Sequence, residues 1–241
     1  MIRPLLGKIK RRVFPPPQVV VHYNCYSQAG EDQVLSFLFQ SMGITRPSYI
    51  DIGAYKPEFG SNTYLFYLQG SRGVCIEPDP RLFQSLQEGR RGDTCLNMAV
   101  SFNGAREVEF YFFDEPSLNT TSYEEAKRRD EIGEYHLVDS RIVPAIRIEE
   151  VIQRHFSGLP DFISLDVEGA DFEILAAFDF ANYPVPVWVV ETVRYSVNHI
   201  KEKVTSIAEL MESRGYFVYA DTYINTIFVE TSWFFNYARA K

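Results

Sequence analysis

The sequence predicts a single α/β domain with a mainly parallel sheet covered on both faces. Short apolar runs, each long enough for one buried strand, alternate with segments of helical period along most of the chain. The runs are close to continuously apolar, as in strands that meet helices on both sides. Several end in an acid or a glycine, at the strand ends where open α/β sheets bind ligands. The chain has 241 residues, 46% hydrophobic and 23% charged, which suits one such domain plus a short extension.

Residues 1–22 read as an arm. Arg3, Lys8, Lys10, Arg11 and Arg12 make it basic, and Pro15-Pro16-Pro17 stiffens it. The domain, 23–241, opens with a helix from Gly30 to Met42, with Ser27 as its cap and Val34, Leu35, Leu38 and Phe39 on one face. Tyr49–Gly53 is a first strand and tight turn, and Tyr64–Leu68 a short helix that Gly70 stops. Val74–Glu77 is the second strand, followed by a helix around Leu82, Phe83 and Leu86. Leu96–Val100 is the third. An insertion of about 101–160 then precedes the fourth, Phe162–Asp166. It carries an added strand, Val108–Phe112, and its length suits a lid or acceptor platform. A helix from Ala170 to Phe178, a fifth strand Val187–Glu191 and a helix through Ile207, Leu210 and Met211 follow. Tyr216–Ala220 and Thr226–Val229 close the domain as a hairpin.

Charge argues against one class of partner. The net charge is −8, yet residues 1–12 carry +5, so the remainder carries −13. An acidic body lacks the cationic surface that nucleic acid requires, and no nucleic-acid partner is expected. The basic arm is suited to peripheral contact with an anionic membrane surface. No secretory signal and no membrane-spanning run is evident. Cys25, Cys75 and Cys95 show neither metal spacing nor a disulfide framework. A cytoplasmic protein, in contact at most with the inner membrane face, is the expectation. Oligomeric state is not legible.

The polar residues at the strand ends carry the chemistry. Gly53, directly after a buried strand in Asp51-Ile52-Gly53-Ala54, lets backbone approach a ligand closely. No G-x-G-x-x-G accompanies it, which opposes a dinucleotide phosphate cradle. Glu77, 24 residues beyond Gly53, ends the second strand, where a carboxylate accepts from both hydroxyls of a ribose. Ala99 lies where backbone would meet an adenine edge. Asp166-Val167-Glu168-Gly169-Ala170-Asp171 concentrates three acids at a strand-to-helix turn, and such acids need cationic partners. Asp166 is placed to hold an ammonium group or a metal, and Glu168 to face an acceptor, while Asp171 reads as a cap or a surface acid. Glu168, Glu191 and His199 are the candidate bases. Asp166 and Glu191 are candidate oxygen ligands for Mg²⁺.

Tyr26-Ser27-Gln28-Ala29-Gly30-Glu31-Asp32, Asp51-Ile52-Gly53-Ala54, Ser61-Asn62-Thr63-Tyr64-Leu65-Phe66, Ile76-Glu77-Pro78 and Leu165-Asp166-Val167-Glu168-Gly169-Ala170 follow one another in that order between Tyr26 and Val229. In these segments the chain resembles the FkbM-type methyltransferases. The resemblance implies a Rossmann-like class I methyltransferase fold: seven strands, mostly parallel, the last antiparallel, with helices on both faces. It also implies S-adenosyl-L-methionine as methyl donor and O-methylation of a sugar, glycan or secondary-metabolite hydroxyl. By the same resemblance Gly53 approaches the methionine part, Glu77 takes the ribose and Asp166 sits near the amino acid end. Asp51, Ser61, Asn62 and Thr63 border the donor pocket. Two other readings stay open: a NAD- or nucleotide-linked enzyme on a similar sheet, and a non-catalytic interaction domain that retains the fold.

Overall fold

The computed structural model describes residues 24–196 and 202–239. The basic arm and His199 lie outside the described residues, so the roles expected of them have no structural counterpart.

The first helix, α1 (Glu31–Ser41), buries Leu35, Leu38 and Phe39. It starts one residue later than expected because Gly30, at φ 97°, takes the N-cap position. Ser27 acts from further back: its Oγ accepts from the amides of Gly30 and Asp32, at 3.2 and 3.3 Å. Then come β1 (Tyr49–Ile52), α2 (Tyr64–Leu68), β2 (Gly73–Ile76) and α3 (Pro80–Gly89). In α3, Asp79 caps by accepting from the Arg81 amide, and Pro80 needs no partner in the first turn.

The third strand differs from expectation. It is split into β3 (Thr94–Leu96) and β4 (Ala99–Val100), which lie in different sheets. Asn97 explains the break. Its Nδ2 donates to the carbonyls of Glu77 and Pro78, at 2.8 and 2.9 Å, and turns the chain away from β2. Within the insertion, β5 (Glu107–Phe113), a 3₁₀ turn (Pro116–Leu118), α4 (Tyr123–Ile132) and β6 (Leu137–Ile146) follow. The strands β4, β6 and β5 form a small sheet in that order, around Phe110, Phe112, Val143 and Ala145. α5 (Ile148–His155) belongs to the main layer instead, since Ile148, Val151 and Ile152 join the principal core.

The chain closes with β7 (Phe162–Leu165), α6 (Asp171–Ala177), β8 (Val187–Glu191), α7 (Thr205–Ser213), β9 (Tyr216–Asp221), β10 (Asn225–Glu230) and α8 (Thr231–Arg239). The main sheet has seven strands in the order β3-β2-β1-β7-β8-β10-β9. β1, β2, β3, β7 and β8 are parallel, and β10 runs antiparallel to both its neighbours. This is the seven-stranded, mostly parallel α/β architecture that the sequence resemblance implies.

Alternation along the strands divides the interior in two. Ile50, Ile52, Ile163, Leu165 and Trp188 face one core, and Tyr49, Phe162, Val187 and Val189 the other. Both faces are apolar because helices cover both. Chain order reverses between β1 and β7, so the sheet has its topological switch point there. Among the described residues no helix is long and apolar enough to cross a membrane.

Candidate active site

The switch point opens into a cavity of about 400 Å³. Gly53 forms its floor, with φ at +75°. The amides of Gly53 and Ala54 both donate to the Ile76 carbonyl, at 3.0 and 3.1 Å, and the Asp166 amide donates to the Ile52 carbonyl at 3.1 Å. These bonds carry β1 one step past its last paired residue, then turn the chain sharply. A Cβ at residue 53 would fall 1.7 Å from the Asp166 carbonyl oxygen, so the turn admits glycine alone.

Glu77 lines the same cavity at the end of β2 and is 5% exposed. Its two oxygens are already oriented: Oε1 accepts from the Asp79 amide at 2.8 Å, and Oε2 from the Tyr55 amide at 3.0 Å. Tyr55 holds a positive φ of 51° to make that bond. Burial nonetheless dominates, and it pushes the carboxyl up to about 8, against the pull of those two amides.

Asp51 also lines the cavity, with a polar network behind it. Burial raises its carboxyl above the ordinary range, opposed by Arg90 and by hydroxyl bonds from Thr63 and Ser164. Thr63 Oγ1 donates to Asp51 at 2.5 Å and accepts from Arg90 at 2.8 Å. Arg90, 1% exposed, also donates to Asp93 at 2.8 Å, the Tyr49 hydroxyl at 2.9 Å and the Pro57 carbonyl at 3.0 Å. Asn62 donates to Ser164 at 3.0 Å from the cavity wall.

The loop after β7 forms the far rim. Asp171, expected as a cap, is buried and accepts from the amides of Val167 and Gly169, at 3.2 and 3.1 Å. Burial pushes it up to about 7. Asp166 and Glu168 line the cavity, and Glu168 sits at φ +60°. Glu191, at the end of β8, borders a smaller neighbouring cavity of about 170 Å³, yet its carboxylate lies within 4.8 Å of those of Asp166 and Glu168. The spacing meets the first requirement for an oxygen-liganded dication. The second requirement, free oxygens, is met poorly. Arg129 of α4 donates to Glu168 Oε2 at 2.8 Å, so one of the three acids already has a fixed cation on its carboxylate. The donor set therefore does not fit Mg²⁺ well.

Of the residues selected from sequence, Asp51, Gly53, Ser61, Asn62, Glu77, Ala99, Asp166 and Glu168 share the main cavity. Thr63 does not reach it. It lies fully buried behind Asp51, because its hydroxyl is taken by the Asp51–Arg90 network. Glu191 joins the acid cluster from the adjoining cavity. Sequence reasoning missed Arg90, Ser164, Arg129 and Asn119. Asn119 fastens the insertion over the cavity by donating to Asp79 at 3.2 Å and accepting from the Phe113 amide at 2.8 Å. The long Tyr26–Asp32 motif turns out to be mainly a tie. Glu31 accepts from Thr222 and Asn225, at 2.6 and 3.0 Å, and so joins the N-terminal side to the last hairpin.

Several solved structures are similar to the chain at low identity. A TehB-like SAM-dependent methyltransferase from Corynebacterium glutamicum is 11% identical with a TM-score of 0.42, over 83% of this chain and 87% of that one. A putative caffeoyl-CoA O-methyltransferase from Staphylococcus aureus is 10% identical with a TM-score of 0.43, over 83% and 82%. The 1,6-didemethyltoxoflavin-N1-methyltransferase of Burkholderia thailandensis, bound to its substrate and S-adenosylhomocysteine, is 12% identical with a TM-score of 0.41, over 83% and 76%. Likeness at that level assigns no substrate. No curated protein sequence matches the chain. The family model described as the methyltransferase FkbM domain matches residues 51–218, a span that runs from Asp51 through the whole rim to β9. The chain belongs to the FkbM methyltransferase domain family.

Proposed function

We propose that the cavity binds S-adenosyl-L-methionine and that the protein transfers the methyl group to a hydroxyl of a small polar acceptor, such as a sugar, a glycan terminus or a secondary metabolite. One observation carries the proposal: Gly53, Glu77 and Asp166, from the ends of three different strands, border one cavity at the switch point of the sheet. Its volume lies in the range of small-molecule sites, roughly 300–1,000 Å³.

The donor supplies an activated methyl group on sulfur, so the chain's task is alignment. Gly53 lines the cavity with bare backbone, at a turn packed directly on the Asp166 carbonyl. Glu77, with each oxygen oriented by one amide, has lone pairs left for the two hydroxyls of a ribose. Asp166 lies on the opposite rim, suited to an ammonium group. Pro116, Ser117 and Asn119 of the insertion line the cavity as well. An alcohol acceptor must also lose a proton, and Glu168 and Glu191, clustered beside the cavity, are the candidates to take it. The exposed ring of Phe59 on the cavity lip, 5.8 Å from Lys56 Nζ, offers an apolar face for a sugar-like acceptor.

Transfer of label from methyl-labelled S-adenosyl-L-methionine to a panel of methyl glycosides and phenols tests the proposal. Labelled ether products support it. Label found only on ring nitrogens or carbons of an amine or arene panel would overturn the O-specificity while leaving the family assignment intact. Contact of the basic arm with anionic membranes is a separate proposal, tested by co-sedimentation with phosphatidylserine vesicles. Binding that persists after removal of residues 1–12 contradicts it.

A further inference from the structure

Asp166, Glu168 and Glu191 bring three carboxylates within 4.8 Å of one another beside the cavity. Such a group demands positive charge nearby. The described structure supplies it from the insertion, which no sequence motif marked. Arg129 of α4 is only 3% exposed. Its Nη1 donates to the Leu118 carbonyl at 2.8 Å, and its Nη2 to both the carbonyl and Oε2 of Glu168, at 3.1 and 2.8 Å. Its guanidinium lies 5.7 Å from the centre of the Tyr195 ring and its Nε 3.7 Å from Glu125. One side chain thereby ties together the 3₁₀ turn over the cavity, the loop after β7 and the loop after β8.

We propose that Arg129 is the built-in counter-cation of this acid cluster: it takes the electrostatic place of a divalent ion, excludes one from the site, and is a positioning residue for Glu168. Two features favour a guanidinium in that part. It is always charged, and its Nη2 carries two N–H groups, which here hold the backbone carbonyl and a carboxylate oxygen of one residue together. It also fastens Glu168 in a left-handed backbone conformation that a non-glycine residue otherwise avoids. The second function, orienting Glu168 toward an acceptor, rests on the methyl transfer proposed above. The exclusion of a dication does not.

The test uses the full chain and Mn²⁺ as probe, read by electron paramagnetic resonance, in the wild type, Arg129→Met, Arg129→Lys and the Arg129→Met/Glu191→Gln pair. Circular dichroism confirms folding of each. The wild type and Arg129→Lys are expected to bind no Mn²⁺ at the cluster. Arg129→Met is expected to gain a Mn²⁺ site at the cluster, and adding Glu191→Gln to abolish it. A wild-type Mn²⁺ site lost in Glu191→Gln overturns the proposal, and so does a folded Arg129→Met that gains none. If Arg129→Met does not fold, the wild-type titration against Glu191→Gln still decides. With an acceptor that the wild type methylates in hand, Arg129→Lys should lower kcat and move its pH profile while leaving KM for the donor unchanged; an unaltered kcat would overturn the positioning role. Failure of the donor proposal would register separately, as absence of S-adenosyl-L-methionine binding in the wild type.

Discussion

Gly53 and Asp166 meet backbone to backbone: a single added carbon on Gly53 would lie 1.7 Å from the Asp166 carbonyl oxygen. The contact joins the ends of β1 and β7 across the switch point and sets the depth of the cavity between them. Gly53→Ala must therefore move the Asp166 loop or break the turn. Added to the strain of a positive φ, the expected loss is on the order of 3 kcal/mol in urea denaturation, with donor affinity lost as well. Wild-type stability in that variant would mean the approach is looser than described.

The buried Glu77 carboxyl predicts a pH dependence. Burial raises it from its ordinary 4.5 to about 8 in the folded protein. Between those values the folded state holds a proton that the unfolded state has released, so stability falls as pH rises through the window and levels off above about pH 8. Glu77→Gln removes the titration. The melting temperature of the wild type should drop more than that of Glu77→Gln between about pH 5 and about pH 8.5. Parallel curves for the two proteins would show that Glu77 ionises normally.

Arg90 is the hub behind Asp51, bonded to Asp93, Thr63, Tyr49 and Pro57. Arg90→Met keeps the bulk and removes the charge, leaving buried acids without their cation. The expected cost is about 3–5 kcal/mol. Asp51 would lose the charge that opposes its burial, so donor binding in the folded fraction should weaken too. A fully stable Arg90→Met would place the network's contribution elsewhere.

Much of this was legible from sequence, for a reason visible in the strands. Tyr49–Ile52, Val74–Ile76, Phe162–Leu165 and Val187–Val190 are apolar because helices cover both sides, and the polar residues that interrupt them face the ligand edge. Strand pattern and site residue thus arise from one constraint. The exceptions have equally local causes. Asn97 cuts the third strand in two because its side chain satisfies the backbone of Glu77 and Pro78, a contact across about 20 residues that periodicity does not report. Thr63 belongs to the motif at the site yet faces away from the cavity. Arg90 and Arg129 look like ordinary surface arginines in sequence, one after an amphipathic helix and one within a highly charged helix. Arg90 is buried by partners from β1, the loop before α2 and the turn after α3, and Arg129 by Leu118 and by Glu168 in the loop after β7, and only the assembled fold brings these together.

The central claim is that one cavity, gripped at Glu77, holds the methyl donor. Isothermal titration calorimetry of the wild type and Glu77→Ala with S-adenosyl-L-methionine, S-adenosylhomocysteine and NAD tests it most directly. The account predicts one site for the two sulfur ligands, none for NAD, and affinity reduced by about tenfold or more in a folded Glu77→Ala, the loss of two hydrogen bonds to the ribose. Binding of NAD alone, or donor affinity unchanged in Glu77→Ala, would contradict it.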